Sequence, residues 1–263
     1  MRRTSRILLT LLAGLGFGCQ VSPSNEDPTP APPIRILAYN IKHGRGMDGK
    51  VDLARIASVI RAQMPDVVTL QEIDKGCSRS GGVDEAVRLG ELCAMHSAFG
   101  KFMDYGGGEY GMAILSRYPI SEVENHMLPP GREPRSALSA RVDPPTGPPF
   151  RLVGIHLYFT EEERLAQART LVELFAEDPL PVILAGDFNS RPGSKVMELL
   201  ERSWKNPDKG EDRFTFPSDR PDREIDFVLY QPADRFRVRE VNVIDEPVAS
   251  DHRPLLLVLE AAE

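Results

Sequence analysis

From residue 34 onward the chain alternates short apolar runs with stretches in which apolar residues recur every three or four positions. The runs, rich in Val, Ile and Leu, lie at 34–41, 66–71, 111–116, 150–157, 181–186, 225–230, 236–244 and 255–259. Their length and their bounding Gly, Pro and Asp predict strands buried between layers. Helical spacing marks 52–63, where Asp52 caps a face of Leu53, Ile56, Val59 and Ile60. It also marks 161–175, through Leu165, Ala168, Leu171, Val172, Leu174 and Phe175. Weaker helical patterns lie at 84–94 and 193–201. Strands and helices in mixed order predict a layered α/β fold. The runs at 111–116, 119–128, 137–143 and 150–157 follow one another without a helix, which predicts antiparallel hairpins and mixed sheets. No repeat or second linker interrupts 34–263, so one domain is expected there.

Ahead of residue 34 the pattern changes twice. Arg2, Arg3 and Arg6 precede an apolar run from Ile7 to Phe17 that is too short to span a bilayer, so residues 1–19 read as an export signal. The segment ends Leu15-Gly16-Phe17-Gly18-Cys19, which resembles a bacterial lipoprotein signal. Leu15 lies one position further from the cysteine than in the usual pattern, and Phe17 is bulky where a small residue is the rule. A membrane tether through lipidated Cys19 at the cell envelope is the expectation, with a cleaved periplasmic or secreted form as the alternative. Residues 20–33, rich in Pro and polar residues, read as an extended linker.

Composition narrows the functional classes. A hydrophobic content of 41% supports a full core. Acidic residues outnumber basic ones, 39 to 32, for a net charge of −7. Affinity for duplexes comes largely from Lys and Arg on phosphates, so no dedicated nucleic-acid surface is expected. Cys77 and Cys93 have neither CxxC spacing nor nearby His ligands, and they read as thiols, with a bridge between them left open. The expected state is a monomer.

Polar residues able to bind metal or move protons recur where the apolar runs end. Asn40 closes the first run, Glu72 the second, and His156 the run at 150–155; Asp187 and Asn189 follow 181–186. Asp226 sits within 224–229, and Asp251 and His252 precede the last strand. Singly, each has an ordinary reading as a turn former, a solvated carboxylate or a hydrogen-bonded structural histidine. Jointly they point to one site, because ligands in α/β folds gather outside strand ends.

The strings Tyr39-Asn40-Ile41, Leu70-Gln71-Glu72-Ile73-Asp74, Ala113-Ile114-Leu115-Ser116-Arg117-Tyr118-Pro119-Ile120, Gly186-Asp187-Phe188-Asn189, Ile225-Asp226-Phe227 and Ser250-Asp251-His252 carry a resemblance. In that order they resemble the motifs of the endonuclease/exonuclease/phosphatase family. The resemblance implies a DNase I-like four-layer α/β sandwich, two mixed sheets face to face with helices outside, and hydrolysis of phosphate esters with Mg²⁺, Mn²⁺ substituting. It implies Glu72 as principal metal ligand, assisted by Asn40, with Asp251 nearby. His252 paired with Asp226 is the implied general base, Asp187 and Asn189 orient water and phosphate, and His156 bonds the phosphoryl oxygen. The physics agrees: Mg²⁺ takes oxygen ligands and needs few protein carboxylates, and a carboxylate fixes an imidazole's tautomer.

The chain departs from some nucleases of the family two positions after Asn40, where Lys42 and then His43 stand in place of an acid. Phosphate contacts and a merely solvated loop are both open for this pair. In the polar segment 74–83, read as a flexible loop, Arg79 is a candidate bidentate phosphate clamp. The segment 104–110 offers Tyr105 and Tyr110 on a glycine hinge, or an ordinary hairpin turn. The motifs leave the leaving group open. The acidic charge and the lack of a basic stripe with interleaved aromatics speak against a nuclease, and no apolar docking hairpin speaks for a sphingomyelinase. A small phosphodiester or phosphomonoester is the expected substrate; those two enzymes and an inert tethered binding module are the alternatives.

Overall fold

In the computed structural model, which describes residues 31–262, the first run forms β1 (Ile34–Asn40). Its alternate residues face opposite ways, Ile36 and Ala38 into one apolar layer, Leu37 and Tyr39 into another. A strand apolar on both faces needs cover on both, and that requirement sets the architecture.

One sheet has the order β10 (Phe236–Val243), β11 (Leu255–Ala261), β1, β2 (Val67–Lys75), β4 (Gly108–Ser116), β3 (His96–Tyr105). The other runs β5 (Ile120–Met127), β6 (Ser136–Val142), β7 (Phe150–His156), β8 (Val182–Asp187), β9 (Asp226–Gln231). Each sheet holds a single parallel pair, β1 with β2 and β7 with β8; every other neighbour is antiparallel. A parallel step needs a crossover, and α1 (Leu53–Ala62) and α3 (Glu161–Phe175) supply it. With α2 (Glu85–Cys93) and α4 (Lys195–Leu200) they cover the outer faces.

Three apolar layers hold the four tiers together. Ile36, Met112, Leu138, Leu152 and Ile183 fill the space between the sheets. Ile56, Ile60 and Leu89 seal one outer face, and Leu171, Phe175 and Met197 the other. Each such side chain, fully buried, stabilises by about 1.5–3 kcal/mol. The helix starts are fixed by side chains: Asp52, Asp84 and Ser194 accept from backbone N–H groups, and Thr160 with Glu163 forms a capping box.

The mixed-sheet sandwich and the helices over 52–63, 84–94, 161–175 and 193–201 agree with the sequence reading, while two expectations are corrected. The runs at 111–116 and 119–128 do not pair: β4 and β5 belong to different sheets. Buried Asp66 ties the crossing down, accepting from Arg117 Nη1 at 3.2 Å and Tyr118 Oη at 2.7 Å. Of the two readings open for segment 104–110 the hairpin turn holds: it joins β3 and β4, with Gly106 and Gly107 at φ 55° and 84°, values that suit a two-residue turn. Segment 74–83 is not all loop: β2 continues through Lys75, Glu85 Oε2 accepts from Asp74 N at 2.8 Å, and Ser78–Ser80 form a short 3-10 turn. Cys77 and Cys93 are both free. The export signal 1–19 lies outside the described residues, as does all but the end of the linker 20–33.

Candidate active site

The two parallel pairs end at one rim. Asn40 is the last residue of β1, and its partner Gln71 immediately precedes Glu72. In the other sheet His156, Asp187 and Asp226 stand side by side, paired across β7, β8 and β9. Ser250, Asp251 and His252 approach the same rim just before β11.

Two local devices aim these side chains. At Glu72 the β2–β4 register shifts between Gln71 and Ile73, and Glu72 takes φ 60°. Such a bulge re-aims one side chain out of the pleat. Left-handed backbone in non-glycine residues is uncommon, yet Lys42, His43, Glu72 and Asn189 all show it at this rim. At Gly186, φ 145°, a Cβ would lie 2.0 Å from Ile155 O, so only glycine lets β7 and β8 close up ahead of Asp187.

Hydrogen bonds then join the sheets. Asn40 Nδ2 donates to Glu72 Oε1 at 3.1 Å and to Asp187 Oδ2 at 3.2 Å, while Asn40 Oδ1 accepts from Lys42 N at 3.2 Å. Ser250 Oγ donates to Asn40 O at 2.7 Å. Asn189 N donates to Asp187 Oδ1 at 2.8 Å, and Asn189 Nδ2 to Leu157 O. His252 Nδ1 is 2.9 Å from Asp226 Oδ2, which leaves Nε2 facing Asp187 Oδ2 at 3.7 Å. His156 Nε2 approaches the same oxygen at 3.5 Å. The result is a cleft of about 410 Å³ with Glu72, His156, Asp187, Asn189, Asp251 and His252 on its floor. Its wall carries Tyr105, Tyr110, Arg135 and Tyr158.

Burial and charge set the protonation states. Burial pushes Asp187 up to about 7, helped by the neighbouring Asp226 carboxylate. Burial pulls on His252 the other way, but Asp226 and Asp187 outweigh it and raise the imidazole to about 10. Burial, with the charges of Arg135 and His252, keeps His156 neutral, well below its ordinary value. Glu72 is raised by burial, against the hydrogen bond from Asn40.

A divalent metal fits this rim, and Glu72 is where the fit is best. Asp187, Asp226 and His252 do bring three donor atoms within 4.8 Å of one another. Each of them is already engaged, however, His252 Nδ1 with Asp226 and Asp187 with donors from Asn40 and Asn189. The largely buried Glu72 carboxylate has one hydrogen bond and, among the described residues, no basic partner. A buried carboxylate so placed calls for a cation. Glu72 and Asp251 in one cleft offer oxygen donors, as a hard ion prefers, whereas Asn40 presents its Nδ2 to Glu72.

Four expectations change here. Lys42 neither sits free in solvent nor waits for phosphate: its Nζ lies 2.6 Å from Asp251 Oδ2. His43 is buried and outside the cleft lining, and burial beside Arg79 lowers it to about 4, so it offers phosphate no charge. Arg79 reaches the cleft, but its Nε and Nη2 already grip Asp74 at 2.8 and 2.7 Å, which uses up the bidentate edge. For His252, the general-base reading needs a neutral ring, whereas the two carboxylates beside it raise the imidazole and favour its charged form. Asn40, Glu72, His156, Asp187, Asn189, Asp226, Asp251 and His252 do converge. Sequence reading missed Arg135 and Tyr158; an arginine opening the apolar strand at 136–142 was the available signal.

Comparison with known proteins agrees with this geometry. The sequence profile of the Endonuclease/Exonuclease/phosphatase family matches residues 37–252. The uncharacterized protein YbhP of Escherichia coli (strain K12) is 27% identical over 84% of this chain and 94% of its own length. An endonuclease/exonuclease/phosphatase from Beutenbergia cavernae superposes with a TM-score of 0.72 at 26% identity, covering 88% of this chain and 72% of that one. The human Nocturnin catalytic domain shares the fold at 20% identity, with a TM-score of 0.68 over 88% and 96% of the two chains.

Proposed function

The chain belongs to the endonuclease/exonuclease/phosphatase family and is a phosphoesterase, and on that premise we propose that it is a Mg²⁺-dependent hydrolase of small phosphate esters working at the cell envelope. The observation that carries the reading is the line Asp226, His252, Asp187, joined at 2.9 and 3.7 Å beside the unpaired Glu72 carboxylate. Binding alone needs no such set.

Each group has a task that follows from its surroundings. Asp226 holds the His252 ring and its charge, so that Nε2 presents a positive N–H to the phosphoryl oxygens. Asp187, with a value near neutrality and two donors steadying it, takes the proton of the attacking water. The Asn189 backbone fixes Asp187, and neutral His156 lends a hydrogen bond without competing charge. Glu72 holds the metal, with Asn40 and Asp251 alongside; when bound, the ion neutralises charge on the phosphoryl oxygens. Lys42 on Asp251 occupies a position where a second carboxylate would favour a second ion, which supports a single metal.

The export signal and Cys19 support the envelope location; a fatty-acid label that appears on the wild type and not on Cys19→Ala tests it. For the reaction, the protein is assayed with aryl phosphomonoesters, phosphodiesters, plasmid DNA, RNA and phospholipids, with and without chelator. Mg²⁺-dependent turnover of small esters is expected; undiminished turnover in chelator rules out the metal, and turnover of DNA alone rules out the substrate class.

A further inference from the structure

We propose that Arg135 is the substrate-binding residue that selects phosphomonoester dianions over phosphodiesters, an inference that rests on the phosphoesterase reading of this cleft.

Arg135 is 2% exposed, although arginine is among the residues least often buried. Its guanidinium lies 4.4 Å from the Tyr158 ring centroid and 4.9 Å from that of Phe102, so its faces are packed. The N–H edges are what remain. Nη1 donates to Glu133 Oε1 at 2.6 Å and to Pro134 O at 3.0 Å. Nε has no acceptor, and none is recorded for Nη2 among the described residues. The Nε and Nη2 edge is the one a guanidinium uses to grip two oxygens of a carboxylate or phosphate. Here it is held by stacking and has no protein partner; Nε is buried, so Nη2 is the nitrogen that Arg135, a cleft-lining residue, has left for a ligand.

The location sets the ligand class. Phe102, which packs under Arg135, also packs edge-on against His156, at 6.4 Å between ring centroids. The guanidinium therefore lies near His156 in the cleft lining, and its charge acts on both His156 and Glu72. Glu133 takes Nη1 and fixes the plane of the guanidinium without engaging Nη2. A phosphomonoester brings three non-bridging oxygens and about two charges; a diester brings two oxygens and one charge, with an ester substituent in the third place. A substituent turned toward this wall would leave a buried charged edge unpaired, which is a strong basis for rejection. A terminal phosphoryl group satisfies it.

Two measurements decide. In the full, Mg²⁺-loaded protein, kcat/KM is compared on an aryl phosphomonoester and the matching diester for wild type, Arg135→Gln and Arg135→Lys. The wild type should prefer the monoester. Arg135→Gln should lose about 10- to 100-fold on the monoester, the worth of a hydrogen bond to a charged group, and clearly less on the diester. Arg135→Lys should recover part of the preference. A parallel fall on both substrates means a structural strut and overturns the proposal, as does a wild type that prefers the diester. Should Arg135→Gln fail to fold, the unmutated protein still answers: inorganic phosphate should bind about tenfold or more tightly than dimethyl phosphate by calorimetry, and equal binding overturns the proposal. A wild type that hydrolyses no ester refutes the phosphoesterase reading instead, while the calorimetric comparison still decides this one.

Discussion

Each sheet brings one parallel strand pair to the rim, but the two pairs arm it differently. In the β7–β8 half three site residues are ordinary members of the ladder: His156 pairs with Asp187 and Asp187 with Asp226, so regular hydrogen bonding sets their spacing, and Asn189 alone takes left-handed backbone just beyond β8. In the β1–β2 half Glu72 leaves the ladder at a bulge, and Lys42, His43 and Glu72 carry left-handed backbone. The regular half holds the groups that handle protons, where small displacements cost most in rate. The distorted half holds the candidate metal ligand, where one carboxylate edge free of a basic partner matters more than an exact register. Asn40 is the tie between them, donating to a carboxylate in each.

Substitutions that keep shape but change charge sharpen the contrast. Asp187→Asn, in the regular half, should lower kcat by roughly 10³-fold or more with the metal still bound, since it removes the proton acceptor and little else. Loss of metal in that variant would place Asp187 among the ligands. Glu72→Gln, in the distorted half, should weaken Mg²⁺ by at least about tenfold in calorimetry and leave thermal stability close to wild type, because burial already disfavours the charged form. A collapse of the fold would make the bulge, rather than the charge, the point of Glu72.

The smallest effect concerns what supports the bulge. Glu85 accepts from Asp74 N, and burial pushes its carboxyl from 4.5 to about 8. The folded state keeps that proton up to about 8 and the unfolded chain releases it near 4.5, so this group's contribution to stability is lost as pH rises through that window. Glu85→Gln should flatten the decline of Tm between those pH values. An unchanged slope would show that Glu85 does not hold its proton.

The same contrast decides what the sequence reveals. In the regular half His156 and Asp187 are legible because each directly follows an apolar run, as Asp187 follows 181–186, and Asp226 because it interrupts one. Asn40 and Glu72 are legible too, through their motif strings. What the bulge does to Glu72 is not, since a register shift depends on β4, which lies far along the chain. Edge strand β3 escaped because His96–Tyr105 is half-buried and lacks clean alternation. Arg135 escaped because a lone arginine at a strand start normally faces water; only the packed sandwich shows it between Phe102 and Tyr158. The protonation state of His252 likewise depends on Asp226 and Asp187 closing on it from separate strands.

The central claim is that Asp226 and His252 act as one unit against the phosphoryl group, and a double-mutant cycle tests it most directly. With kcat measured on the best small phosphate ester, His252→Ala and Asp226→Asn should each cost roughly 10²- to 10⁴-fold, and the double variant little more than the worse single one. Losses that simply multiply, or near-native turnover in His252→Ala, would contradict it.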